Sequence, residues 1–226
     1  MCKSGNTNVI SHFMRNSTDK SIQASALFDK YAKDYEDKFM NVDLYKDSLD
    51  TFCNLIHTKE PKLLDLACGP GNLAKYLLDK RPDFNLVGID LSPNMIAAAQ
   101  RNNPNGNFKV MDCRDISSIS ERYDAVICSF CLPYLSREEV DVLLSNISDL
   151  ITAAGVIYIS TMEGDYSKSG YETGSKGDLI FMHYYNEATL TTELKKNGFK
   201  SFKVSRFENT VTNGKQVVDL IIISRK

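Results

Sequence analysis

The sequence predicts an α/β protein: a doubly wound, mostly parallel sheet of seven strands that ends in an antiparallel hairpin. Three observations carry this. Five short apolar runs alternate with segments of helical periodicity, the pattern of a parallel sheet covered on both faces. One further helix-like segment then leads into two longer β-like runs with no more alternation. Between those two runs lies Asn213-Gly214, a pair that favours the tight turn of a hairpin.

In chain order, residues 1–20 are rich in Ser, Asn, Thr and Lys and predict a loosely packed terminus. From Ala24 onward, Leu27, Phe28, Tyr31, Tyr35 and Phe39 recur at helical spacing, and a second helix is expected over 44–56. Residues 1–57 are thus read as a helical cap. Pro61 breaks the chain before the first strand. The strand-like runs are KLLDLA (62–67), NLVGID (85–90), FKVMD (108–112), YDAVICS (123–129) and GVIYIST (155–161). Helices over 72–80, 92–102 and 136–151 separate them. Ser92-Pro93 supplies an N-cap with proline at the first helical position, and Ser136 with Glu139 supplies a capping box.

Residues 163–178, EGDYSKSGYETGSKGD, are polar and rich in Gly and Ser. With the extended run LIFMHYY (179–185) they are expected to form a substrate lid over 163–185. A helix from Asn186 stops at Gly198, a residue suited to the left-handed C′ position. All 226 residues are expected to form one domain.

Composition is that of a soluble globular chain, 42% hydrophobic and 25% charged. A net charge of −2 argues against binding nucleic acid by phosphate neutralisation, so no nucleic-acid partner is expected. No run reaches the roughly 18 apolar residues of a membrane span. The first twenty residues lack an apolar signal-peptide core, so a cytoplasmic location is expected. Cys2, Cys53, Cys68, Cys113, Cys128 and Cys131 have no disulfide-framework spacing, which fits a reducing compartment. Cys128 and Cys131 form a CxxC, yet no second pair or nearby histidine completes a zinc set, and no metal is expected. Nothing in the sequence sets an oligomeric state.

The chemistry centres on LLDLACGPGN (63–72). A buried strand runs into a glycine loop, and Gly69-Pro70-Gly71-Asn72-Leu73-Ala74 matches the G-x-G-x-x-G/A spacing of the dinucleotide fingerprint. Asp90 closes the second strand 21 residues after Gly69, where a carboxylate accepts from a ribose diol. Asp65, four residues ahead of Gly69, would sit poorly beside a pyrophosphate and well beside a cationic or zwitterionic ligand. Asp112, in Met111-Asp112-Cys113, can accept from an exocyclic adenine amine. The five-strand series with a terminal hairpin also differs from the six-parallel-strand dinucleotide fold.

LLDLACGPGN, LVGIDLSP, VMDCRD, YDAVICSFCLPYLS and AAGVIYIS resemble, in order and spacing, the motifs of class I S-adenosylmethionine-dependent methyltransferases. The resemblance covers about residues 26–162, and the terminal hairpin more loosely. It implies the Rossmann-like fold of that family, S-adenosyl-L-methionine as cofactor, and in-line methyl transfer to O or N of a small-molecule acceptor. By the same resemblance Asp65 orients the loop and the methionine amine, and Gly69, with Gly71 beyond it, lets backbone approach the cofactor. Ala67 stands where the family often has its first glycine. Asp90 would take the ribose hydroxyls with Leu91 beside the adenine, Asp112 the adenine amine, and Cys113 the ring. Ser129 and Phe130 would line the methionine and methyl end, and Met95 completes the cofactor set. Tyr31 and Tyr35 either cap the cofactor or pack in the core. Tyr134, beyond the fourth strand, and His183, in the aromatic run 179–185, are the acceptor-contacting candidates for catalysis. Tyr166, Tyr171, Tyr184 and Tyr185 supply the lid with amphipathic rings. Two rivals share the glycine spacing or the fold: a nicotinamide-dependent oxidoreductase, and a non-catalytic methyltransferase-like binding module.

Overall fold

The computed structural model describes residues 18–174, 176–210, 214 and 216–226. The expectation for the first residues of the terminus and Asn213 of the predicted turn lie outside them. Gly214, the other half of that turn, has φ +81°.

Seven strands form one sheet in the order β3-β2-β1-β4-β5-β9-β8. These are β1 (Lys62–Leu66), β2 (Asn85–Asp90), β3 (Asn107–Val110), β4 (Tyr123–Ser129), β5 (Ile151–Met162), β8 (Lys200–Thr210) and β9 (Gln216–Arg225). The first five are parallel, with Leu63 to Leu66 registered against Leu86 to Ile89 on one side and Ala125 to Cys128 on the other. β9 runs antiparallel to β5, and β8 pairs with β9 as the outer strand of a hairpin. The predicted fold class is the observed one.

β1 is apolar almost throughout because both its faces are covered. Leu64 and Leu66 face a core built from α6 (Arg137–Leu150) and α7 (Glu187–Lys196). Leu63 faces the opposite core, supplied by α3 (Lys46–Leu55), α4 (Asn72–Lys80) and α5 (Pro93–Asn102). Local chemistry sets the helix starts. Ser92 Oγ accepts from Met95 N–H with Pro93 following, Ser136 and Glu139 form the reciprocal capping box, and Asn186 Oδ1 accepts from Thr189 N–H. Gly198, with φ +85°, ends α7 as expected.

Four expectations change. The N-terminal helix begins at Lys20, capped by Asp19, and is divided at Tyr31 into α1 (Lys20–Lys30) and α2 (Ala32–Phe39). The third strand stops at Val110, because Asp112 turns its carboxylate onto Arg114 N–H and starts a 3₁₀ turn. The fifth strand extends well beyond 155–161 at its start. Finally, much of the polar segment 163–178 is ordered rather than open loop. It contains a 3₁₀ turn at Tyr166–Lys168 and the strand β6 (Gly170–Thr173), which pairs antiparallel with β7 (Leu179–Met182). Polarity misled here because a two-stranded ribbon lying on the surface buries little of either face.

Candidate active site

The strand order reverses beside β1, with β2 and β3 to one side and β4 and β5 to the other. A sheet of this kind opens a crevice at the carboxyl ends of its strands at that point. A cleft of about 790 Å³, mouth included, lies there. Ala67 and Gly69 reach it from the loop after β1, Asp90 and Leu91 from the end of β2, and Asp112 and Cys113 from beyond β3. Ser129 and Phe130 close the fourth strand on the same cleft, Met95 enters from α5, and Tyr134 comes from the short turn that follows β4. Tyr35 and Phe28 cover it from the helical cap.

The backbone here is unusual. Ala67 and Phe130 hold φ of +53° and +49°, the left-handed region that side chains avoid. Phe130 is kept there by its N–H, which donates to Ser160 O (2.9 Å), while the Ser129 and Ser160 hydroxyls are 2.8 Å apart. Gly69, at φ +54°, is open towards the cleft. A Cβ there would stand 3.8 Å from Tyr35 Cε1, in the gap between loop and cap.

Three carboxylates set the electrostatics. Asp90 accepts from Gly69 N–H and Ser92 N–H, each at 2.9 Å, and so fixes the glycine loop against β2. Burial raises its carboxyl above the ordinary range despite those bonds. Asp112 is buried and held by the Arg114 guanidinium at 2.7–3.0 Å. Asp65 is buried behind the loop, and its Oδ2 has no hydrogen-bond partner among the described residues. Burial, with Asp90 nearby, pushes it up to about 8. Among the described residues no lysine, arginine or histidine lines the cleft. A site so furnished suits a ligand that brings hydrogen-bond donors and positive charge, and repels a pyrophosphate.

Other predicted residues fall outside the wall. Tyr31 turns away and donates to Asp178 Oδ2 (2.6 Å). Gly71, φ +78°, serves the helix approach: a Cβ would come within 2.3 Å of Asn103 Nδ2. His183 is not on the cleft. It is buried, stacked on Tyr166 (5.6 Å), with its backbone N–H donating to Pro133 O. Burial lowers its imidazole pKa. Of the tyrosines expected in a lid, Tyr184 and Tyr185 are buried, Tyr185 donating to Leu135 O (2.6 Å), while Tyr171 is exposed. Sequence reasoning did not assign Ser21, Ala24, Ser25, Phe28, Met111, Cys131 and Leu135 to the wall. The helical spacing of Ser21, Ser25 and Phe28 is the signal that could have found the first two.

Comparison with known proteins agrees with this geometry. Residues 63–155 match a family model described as a methyltransferase domain. Together with the fold and motifs, this supports a class I S-adenosylmethionine-dependent methyltransferase. Over 152 residues it is 29% identical to a malonyl-[acyl-carrier protein] O-methyltransferase of Acetivibrio thermocellus, covering 66% of this chain and 47% of that protein. Over 123 residues it is 32% identical to a Streptomyces fradiae dTDP-3-amino-3,6-dideoxy-alpha-D-glucopyranose N,N-dimethyltransferase, covering 52% and 46%. The chain thus spans about half the length of these curated relatives. A tRNA N(3)-methylcytidine methyltransferase of Schizosaccharomyces pombe also matches, at 23% identity over 85% of this chain and 86% of its own length. The expected exclusion of nucleic acid therefore gains no support from the relatives. In fold the chain is similar to the DhpI-SAM-HEP complex, with a TM-score of 0.67 at 20% identity over 93% of this chain and 100% of that one. It is also similar to a Burkholderia thailandensis 1,6-didemethyltoxoflavin-N1-methyltransferase, with a TM-score of 0.66 at 18% identity over 93% and 91%. Among the described residues no helix is long and apolar enough to cross a membrane, and no cluster of side chains could hold a metal ion.

Proposed function

We propose that the protein transfers a methyl group from S-adenosylmethionine to an oxygen or nitrogen of a small molecule. The observation that carries this is the cleft's set of acceptors: Asp90 and Asp112 on the wall, Asp65 behind the loop with a buried unpartnered oxygen, and, among the described residues, no basic side chain on the wall itself. Asp90 is read as the ribose acceptor, Asp112 as the acceptor of the adenine amine, and Asp65 as the buried carboxyl that orients loop and amine. The same features weigh against a nicotinamide dinucleotide. What S-adenosylmethionine supplies when bound is an activated methyl carbon on a sulfonium.

The chain's own residues supply alignment and dryness. Phe28, Tyr35 and Phe130 present rings to the cleft, excluding water and confining an acceptor. Burial raises the Tyr134 phenol well above its ordinary value, so it stays protonated at neutral pH and can donate a hydrogen bond rather than take a proton. Positioning of this kind can supply about 7–11 kcal/mol of barrier lowering. His183 is not proposed as an acceptor contact, since it is buried and is not among the residues that line the cleft.

A mass-spectrometric methylation assay with isotope-labelled S-adenosylmethionine tests the reading. Transfer to members of a small-molecule amine and phenol panel, abolished in Asp90→Ala, is expected. Labelling of total tRNA with none on the panel would overturn the small-molecule reading. Tight binding of cofactor without transfer to either would favour the binding-module rival.

A further inference from the structure

Arg114 sits one residue past Cys113, off the cleft wall, with its side chain only 11% exposed. Its guanidinium divides its hydrogen bonds in a definite way. Nε donates to both oxygens of Asp112 at 3.0 Å, and Nη2 donates to Asp112 Oδ2 at 2.7 Å. Nη1 is left to face two other acids, Asp19 Oδ2 at 2.9 Å and Glu139 Oε1 at 2.7 Å.

Both of those acids already have structural work on their other oxygen. Asp19 Oδ1 caps α1 by accepting from the Ser21 and Ile22 N–H groups. Glu139 Oε2 accepts from Ser136 N–H in the capping box of α6. α1 is the element that lays Ser21, Ala24, Ser25 and Phe28 over the cleft, and Ser21 Oγ donates to Tyr134 O (2.6 Å). One arginine therefore ties a wall carboxylate to the N-terminus of the helix that covers the wall.

We infer that Arg114 is a positioning residue that couples occupation of the cleft at Asp112 to closure of α1, with Asp19 as the latch. The inference rests on the cofactor reading above. A donor placed on Asp112 favours the orientation in which Arg114 holds that carboxylate by its fork. That same orientation aims Nη1 at Asp19. When α1 swings out, Nη1 loses Asp19 and is aimed by Glu139 alone, so Arg114 no longer holds Asp112 in the orientation that presents it to the ligand. Linkage makes the effect reciprocal: whatever factor closure adds to ligand affinity, the ligand adds to closure.

Asp19→Asn is the discriminating variant, because asparagine caps a helix as well as aspartate but carries no charge for Arg114. The probe is S-adenosylhomocysteine, followed by calorimetry and by amide hydrogen exchange across residues 22–30. In the wild type, saturating probe should slow exchange there by about tenfold, within the usual range of coupling. In Asp19→Asn both that ligand-induced protection and the affinity should fall by about the same factor. Arg114→Lys, which keeps charge and loses the fork, should do likewise, and the double variant should lose no more than either alone. A role in helix stability alone would speed exchange of α1 without ligand but leave the ligand-induced protection intact, and that result would overturn the inference. So would an affinity of Asp19→Asn within twofold of wild type. If the wild type itself fails to bind the probe, the cofactor reading falls, and the latch falls with it.

Discussion

Asp65 is a carboxylate that its own fold holds against its chemistry. Alternation along β1 places it inside, between Leu64 and Leu66, with one oxygen unsatisfied. Burial and then Asp90 raise its carboxyl to about 8, against an ordinary value of about 3.9. The sign for stability follows. Between these two values the unfolded chain releases the proton readily and the folded chain does not, so the stability associated with this group is complete below about pH 4 and is lost as pH rises through about 8. Ligand-free protein should therefore become less resistant to urea from pH 4.5 to pH 8.5. Asp65→Asn should flatten that slope and be the more stable form at the upper end. Equal slopes in the two proteins would show that Asp65 is already compensated. Asp90 was legible because it closes a strand, Gly69 and Asp112 because they follow strand ends that apolar runs make readable, and Asp65 from its place inside the first apolar run. Arg114 and the cap residues Ser21 and Ser25 were not. Their partners are brought to them by the tertiary fold, and spacing along the chain carries no trace of it.

The elements were most legible where their boundaries are set by local chemistry. Ser92-Pro93, the Ser136/Glu139 box and Gly198 mark ends that depend on a few adjacent residues, and the helices begin and stop there. The break at Tyr31 and the β6–β7 ribbon answer instead to contacts distant in sequence, such as Tyr31 with Asp178 in the connection between β6 and β7. Gly71 gives a test at this scale. It has φ +78°, accepts from Asn103 Nδ2 at 2.9 Å through its carbonyl, and would place a Cβ 2.3 Å from that same nitrogen and 3.1 Å from Ala99 Cα. Gly71→Ala thus combines a left-handed backbone penalty with overpacking of α4 against α5. A loss of about 2–4 kcal/mol in denaturant unfolding is expected, and a loss under about 1 kcal/mol would mean the glycine is not required by packing.

On the scale of the whole molecule, one topological fact organises the rest: the sheet reverses its order beside β1, and every predicted cofactor residue on the wall comes from the loops, helix and cap that converge on that crevice. The Cys128–Cys131 pair belongs to the buried packing of that region, and Cys131 lies 3.5 Å from Cys113. The central claim is that this crevice is built for a cationic nucleoside without phosphates. Calorimetric titration with S-adenosylmethionine, set beside an identical titration with NAD(H), addresses it most directly. The account predicts one saturable site for S-adenosylmethionine and no heat of binding for the dinucleotide. Saturation by NAD(H), with none by S-adenosylmethionine at millimolar concentration, would contradict it.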